Sequence, residues 1–246
     1  MLTAIEDSIK SLSDDEGEII VDSLALTKVA LERLYESSEG LFPKEEILED
    51  LRKIVELSER IKTTENLREK MKIFFSEYQA LSGQLKTKYG DFLPSRAMRK
   101  LEVGEKYIEG LKKLLVVQEY MLQALDEKDS IDQAGKLYAG MVKLSEVLEK
   151  YIPYFPTRLI EVAKNTARGV LADRTLQPNQ PDISPEAANY LTAIKNTARD
   201  VLWPIDNYER EKKHTVGELL DWLETAPSWA GDDFEECLEY VNQVRK

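Results

Sequence analysis

TENLREKMKIFFSEYQALSGQLKTKY, residues 64–89, sets Leu67, Met71, Phe74, Tyr78, Leu81 and Leu85 at steps of 4, 3, 4, 3 and 4. That spacing draws a single apolar seam along one side of an α-helix, with Lys, Arg, Glu and Gln on the other. The segment that follows is broader. Leu101, Ile108, Leu111, Leu115, Leu122 and Leu125 form one line, and Tyr107, Leu114 and Met121 a second beside it. So wide a stripe predicts a helix buried between several neighbours. Gly104 and Gly110 fall inside it and cost about 1 kcal/mol each relative to alanine unless close packing uses them.

The same period extends outward in both directions. Leu2, Ile5, Ile9 and Leu12 give a short opening helix, and Ser13 with Glu16 forms a capping box for a second that runs to about Ser38. Pro43, a favoured first-turn residue, opens a third helix carrying Ile47, Leu51, Ile54, Leu57 and Ile61. Asp129-Ser130 starts another, with Ala134, Tyr138, Met141, Leu148 and Ile152 inward, and the turn Tyr151-Ile-Pro-Tyr-Phe-Pro156 ends it. No stretch keeps a strand period for long. The expected fold is therefore all-α: an antiparallel multi-helix bundle with a C-terminal segment of short helices. The expected divisions are a bundle over 1–152, a two-helix segment over 153–205 and an acidic helical hairpin over 206–246.

Composition narrows the function. The 246 residues hold one cysteine, Cys237, and one histidine, His214, too few for a disulfide framework, a cysteine zinc cluster or a multi-imidazole metal site. Neither a glycine-rich phosphate loop nor a Gly-x-Ser-x-Gly elbow occurs. These absences predict no metal, no cofactor and no catalytic residue. A net charge of −12 argues against nucleic acid and anionic lipid as partners. The bases Arg96, Arg99, Lys100, Lys106, Lys112 and Lys113 are interleaved with Glu102, Glu105 and Glu109, as on a solvated helix face. No apolar run reaches the roughly 18–20 residues of a membrane span. The opening residues Met-Leu-Thr-Ala-Ile-Glu-Asp carry acids where a signal peptide needs bases, so the expectation is a cytoplasmic protein.

Two features bear on partners. Ala163–Leu171 and Ile194–Leu202 agree at seven of nine positions, 31 residues apart, in the pattern Lys-Asn-Thr-Ala-Arg-x-Val-Leu. One reading is a helix face duplicated because it packs well. The other is a paired basic stripe of Lys164, Arg168, Lys195 and Arg199 for an anionic partner. The second feature is the tail. Between His214 and Val244 there are eight acids and no Lys or Arg, two thirds of the chain's net charge. Some of these acids complement helix N-termini, which is a purely structural use. Trp222, Trp229, Asp232, Asp233, Phe234, Glu235 and Glu236 also read as a partner-binding set, aromatic anchors amid one sign of charge, suited to a basic cleft with an apolar floor.

Thr215-Val-Gly-Glu-Leu-Leu220, Ala226-Pro-Ser-Trp229 and Asp232-Asp-Phe-Glu-Glu236 resemble the short C-terminal tail of bacterial type II antitoxins. The resemblance covers residues 214–246 and implies a tail that wraps a toxin and blocks its basic catalytic groove. The N-terminal DNA-binding domain usual in such antitoxins has no counterpart here. The leading expectation is thus a non-enzymatic helical interaction module whose acidic tail binds a basic protein, neutralising a toxin or enzyme. The alternative is an all-helical nuclease or defence enzyme using His214. HEPN-type ribonucleases place four to six residues between Arg and His, whereas Arg210-Glu-Lys-Lys-His214 leaves three.

Overall fold

The computed structural model describes residues 16–37, 42–127, 129–173 and 184–225. The expected opening helix over 2–12 lies outside them. Every element among the described residues is helical: α1 (Glu16–Ser37), α2 (Lys44–Thr63), α3 (Leu67–Lys72), a π-helical stretch (Ile73–Tyr78), α4 (Gln79–Tyr89), α5 (Ser95–Asp126), α6 (Ser130–Tyr151), a 3₁₀ turn (Ile152–Tyr154), α7 (Thr157–Ala172) and α8 (Pro185–Thr225). The protein is an all-α multi-helix bundle. The chain divides into two compact units, Met1–Ile205 and Asp206–Lys246.

Local chemistry sets the helix starts. Pro43 stands at the N-cap of α2, followed by the first-turn acids Glu45 and Glu46. Asn66 caps α3 through the amide of Glu69 at 3.1 Å. Asp129 caps α6 by accepting from the amides of Ile131 and Asp132 at 2.9 and 3.1 Å. α5 packs against α1, α4 and α6.

Ile20, Leu24 and Leu31 of α1 face the core with Ile47, Ile54, Leu57 and Ile61 of α2. The seam is buried at Phe74, Tyr78, Leu81, Leu85 and Tyr89, but Ile73–Tyr78 is π-helical rather than α-helical. The wider turn brings Ile73 into the core beside Phe74 and Tyr78. The stripe on α5 is narrower than its sequence implies. Leu101, Tyr107, Ile108 and Leu111 are buried, but further along the buried positions are Val117 and Ala124, while Leu115 and Leu122 are 41% and 46% exposed. A 32-residue helix is about 48 Å long, some 15 Å longer than the 22-residue α1, so its distal turns outrun that cover.

Both glycines of α5 mark close approaches. A Cβ on Gly104 would lie 2.1 Å from the hydroxyl oxygen of Tyr78, and one on Gly110 would lie 2.5 Å from the ring of Phe155. Phe155, just beyond the 3₁₀ turn, thus fills a notch in α5 and packs edge-on to Tyr107. The repeat copies adopt matching burial: Ala163, Ala167 and Val170 of α7 and Ile194, Ala198 and Val201 of α8 all face inward.

One helix end differs from expectation. By local rules Trp203-Pro204 reads as a helix stop and Thr215 with Glu218 as a capping box for a new start, but α8 runs from Pro185 to Thr225 through Pro204. An interior proline removes one backbone hydrogen bond and costs about 3 kcal/mol. Val201 and Ile205 flank it and are fully buried, and their packing opposes a break at this point.

Candidate interaction surface

The anticipated partner-binding residues fall largely beyond what the structure describes. Trp229, Asp232, Asp233, Phe234, Glu235, Glu236 and Cys237 lie outside the described residues, and Trp222 and His214 are fixed only as helical positions of α8.

The four bases of the repeat are all described, and they do not share one environment. Lys164 is buried, with its ammonium 3.9 Å from a Glu161 carboxylate oxygen. Arg168 is exposed. Lys195 is half-buried and its ammonium donates to the carbonyl of Asp173, beyond the end of α7, at 3.5 Å. Arg199 is exposed and donates to the Asn196 side-chain oxygen at 2.7 Å. The reason is angular. On α7 the buried row runs through Ile160, Ala163 and Ala167, so Lys164 sits beside it while Arg168 turns out toward solvent. Lys164 reaches over the core by its aliphatic stem, leaving Arg168 and Arg199 as the outward-facing bases.

One turn beyond Arg199, Trp203 is 65% exposed, the most exposed of the large apolar side chains described. Trp and Arg are the residue types that dominate protein–protein hot spots, and here they stand at i and i+4 of one helix face. The sequence carried the signal, since Trp203 falls out of register with the inward row at 194, 198, 201 and 205. The following Pro204 masks that signal, because by local rules it ends the helix at Trp203. Leu115, Val116 and Leu122 make a second exposed apolar strip on α5, interrupted by Glu119.

Several polar side chains meet across helices and hold them in register. Asp50 of α2 is 1% exposed and accepts from Lys88, Tyr89, Gln84 and Lys53 at 2.9, 2.9, 3.1 and 3.3 Å. Burial pushes its carboxyl up, but the hydrogen bonds from Lys88 and Tyr89 outweigh this and hold it below the ordinary carboxylate range. Ser23 of α1 meets the Tyr78 hydroxyl at 2.8 Å, next to Gly104. Burial raises the Tyr78 phenol, so it stays protonated. On α5, Glu109 accepts from the Tyr151 hydroxyl at 2.5 Å and from Lys106 at 2.9 Å, and these hold its pKa at about 2. Each of these groups is spent on a structural partner.

Among the described residues no His, Cys, Asp and Glu side chains gather into a metal-binding group, and no helix is long and apolar enough to cross a membrane. No family model matches the chain, and no curated protein or solved structure matches it significantly. What the fold defines is a class: an all-α multi-helix bundle whose exposed anchors, Trp203 and the α5 strip, lie on its helix faces.

Proposed function

We propose that this chain is a non-enzymatic helical protein-interaction module whose acidic, aromatic-dotted C-terminal segment binds a basic protein partner. The observation that carries the reading is the tail's charge: eight acids and no Lys or Arg between His214 and Val244, with Trp222 and Trp229 among them. A cleft of opposite sign would be drawn to such a segment over about 8 Å at physiological salt, and aromatic anchors would supply the holding energy. Neutralisation of a toxin or enzyme by occupying its basic groove is the concrete form of the proposal, in line with the tail's likeness to type II antitoxins.

The test is purification of the native complex with the full chain, alongside the variant Asp232→Asn, Asp233→Asn, Glu235→Gln, Glu236→Gln. The proposal expects a basic protein in stoichiometric amount with the parent chain, its recovery falling at high salt and in the neutralised variant. Equal recovery with the neutralised tail refutes it. So does RNA or DNA cleavage by the purified chain that disappears in His214→Ala.

A further inference from the structure

Where the start of α6 meets the start of α8, a groove of about 490 Å³ opens on the surface of the first unit. Two tyrosines line it, Tyr138 of α6 and Tyr190 of α8, with ring centroids 6.3 Å apart and planes at 51°. Both are half-buried, although Tyr138 sits in a row whose neighbours Ala134 and Met141 are in the core. Gly135 lies under the Tyr190 ring, where a Cβ would be 3.8 Å from it, so the absence of a side chain keeps the floor low.

Asp132 and Glu186 flank the rings and are exposed. Among the described residues, neither carboxylate has an ion-pair partner. Lys136 also lines the groove, but its ammonium is held by Glu127 at 2.5 Å. The groove therefore carries two carboxylates, each in the first turn of its helix and without an ion-pair partner among the described residues, beside two tyrosine rings.

We propose that this groove binds an arginine side chain of a protein partner, its guanidinium against the Tyr138–Tyr190 wedge and its charge neutralised by Asp132 and Glu186. Cations are attracted to aromatic faces within about 6 Å of the centroid. At 6.3 Å the two rings leave no space between them, so the guanidinium would lie on the groove side of the pair, against the ring surface that lines it. Guanidinium suits the site better than ammonium. It is planar, stacks on tyrosine, sheds water more readily and presents a fork of donors to carboxylates. The charge complementarity is local and independent of the tail, so the site adds a contact chemistry that the tail reading does not contain.

The experiment is a ¹H–¹⁵N correlation titration of the full chain with N-acetyl-arginine amide, with the lysine and citrulline amides as comparators. The arginine probe should give saturable shifts confined to residues near 131–138 and 186–190, weakening as salt rises from low ionic strength toward 1 M. Citrulline, which keeps the shape and loses the charge, should give none, and lysine should bind several-fold more weakly. Tyr190→Leu should weaken arginine binding about two- to fivefold. Asp132→Asn with Glu186→Gln should weaken it about as much per residue, with only a small loss of thermal stability from the two first-turn charges. Absence of saturable shifts in the parent chain overturns the proposal. Equal binding of citrulline removes the charge argument and overturns it as well, and equal binding of lysine overturns the guanidinium assignment. The readout uses only residues of the first unit, so failure of the tail to recruit a partner leaves it unaffected.

Discussion

Replacing Gly104 by alanine sets two effects against each other, and the structure decides between them. Propensity alone favours the change by about 1 kcal/mol in the middle of a helix. The new Cβ, however, would lie 2.1 Å from the Tyr78 hydroxyl oxygen and 2.9 Å from the ring carbon that bears it. Tyr78 is fully buried and its hydroxyl is bonded to Ser23 at 2.8 Å, so it has no free direction in which to retreat. Overpacking of this kind costs about 1–3 kcal/mol. Displacing the hydroxyl from Ser23 adds about 1–3 kcal/mol for a buried polar group left unmatched. Less the propensity gain, the net loss is about 3 kcal/mol. At roughly 2–4 °C per kcal/mol for a chain of this size, the melting temperature should fall by about 6–12 °C. Urea unfolding followed by circular dichroism measures it directly. The double variant with Tyr78→Phe sharpens the test, because removing the oxygen removes the nearest clash. It should be more stable than the sum of the single losses by at least about 1 kcal/mol. Gly104→Ala that is as stable as the parent, or strictly additive with Tyr78→Phe, refutes the reasoning.

Gly169 of α7 provides the converse: nothing lies within 4 Å of a Cβ there, so Gly169→Ala should gain about 0.5–1 kcal/mol in the same assay. Asp50→Ala should lose about 3–5 kcal/mol, because it strips the shared acceptor from the buried Tyr89 hydroxyl and from Lys88; Asp50→Asn, which keeps acceptor and volume, should lose less. Asp50 and Glu109 both have folded-state pKa values below the ordinary ones, so their stabilisation is complete above about pH 4.5 and is lost as pH falls toward 2. Tyr151→Phe removes the largest cause of the Glu109 shift, so less stability should be lost on acidification and the loss should end at higher pH; an unchanged acid limb in the pH–stability profile contradicts this.

Long apolar periods made most of the helices legible before any coordinates. The seam at 67–85, the proline at 43 and the Asp129 cap each stated a local preference that tertiary packing had no reason to overrule. The departures arise where a local rule met a non-local one. Pro204 reads as a stop, but the inward row 191, 194, 198, 201 and 205 continues through it, and burial outweighs one missing hydrogen bond. Leu115 and Leu122 read as core because the pattern cannot say where a neighbouring helix ends. The π-helical stretch is invisible to a 4, 3, 4 spacing, because Phe74, Tyr78, Leu81 and Leu85 stay inward through it and Ile73 merely joins them. The Tyr138–Tyr190 groove escaped notice for a different reason. Its two halves are 52 residues apart in sequence, and each tyrosine alone looks like one more member of an inward row.

The distribution of polar and apolar groups gives the bundle a consistent logic. The buried Ser23–Tyr78 and Asp50–Lys88–Tyr89 contacts each join helices that an apolar core would allow to slide, because ridges of Leu and Ile accept more than one register. A one-turn slip of about 5.4 Å would break the bonds to Asp50 from Gln84, Lys88 and Tyr89 and leave a buried carboxylate with only Lys53 of its own helix as donor. That penalty is specific to misregistered states, so these groups fix alignment more than they add net stability. With register fixed from within, the outer faces are released from any part in holding the fold. Trp203 and the α5 strip sit on those faces, where their substitution should alter binding while leaving the melting transition in place.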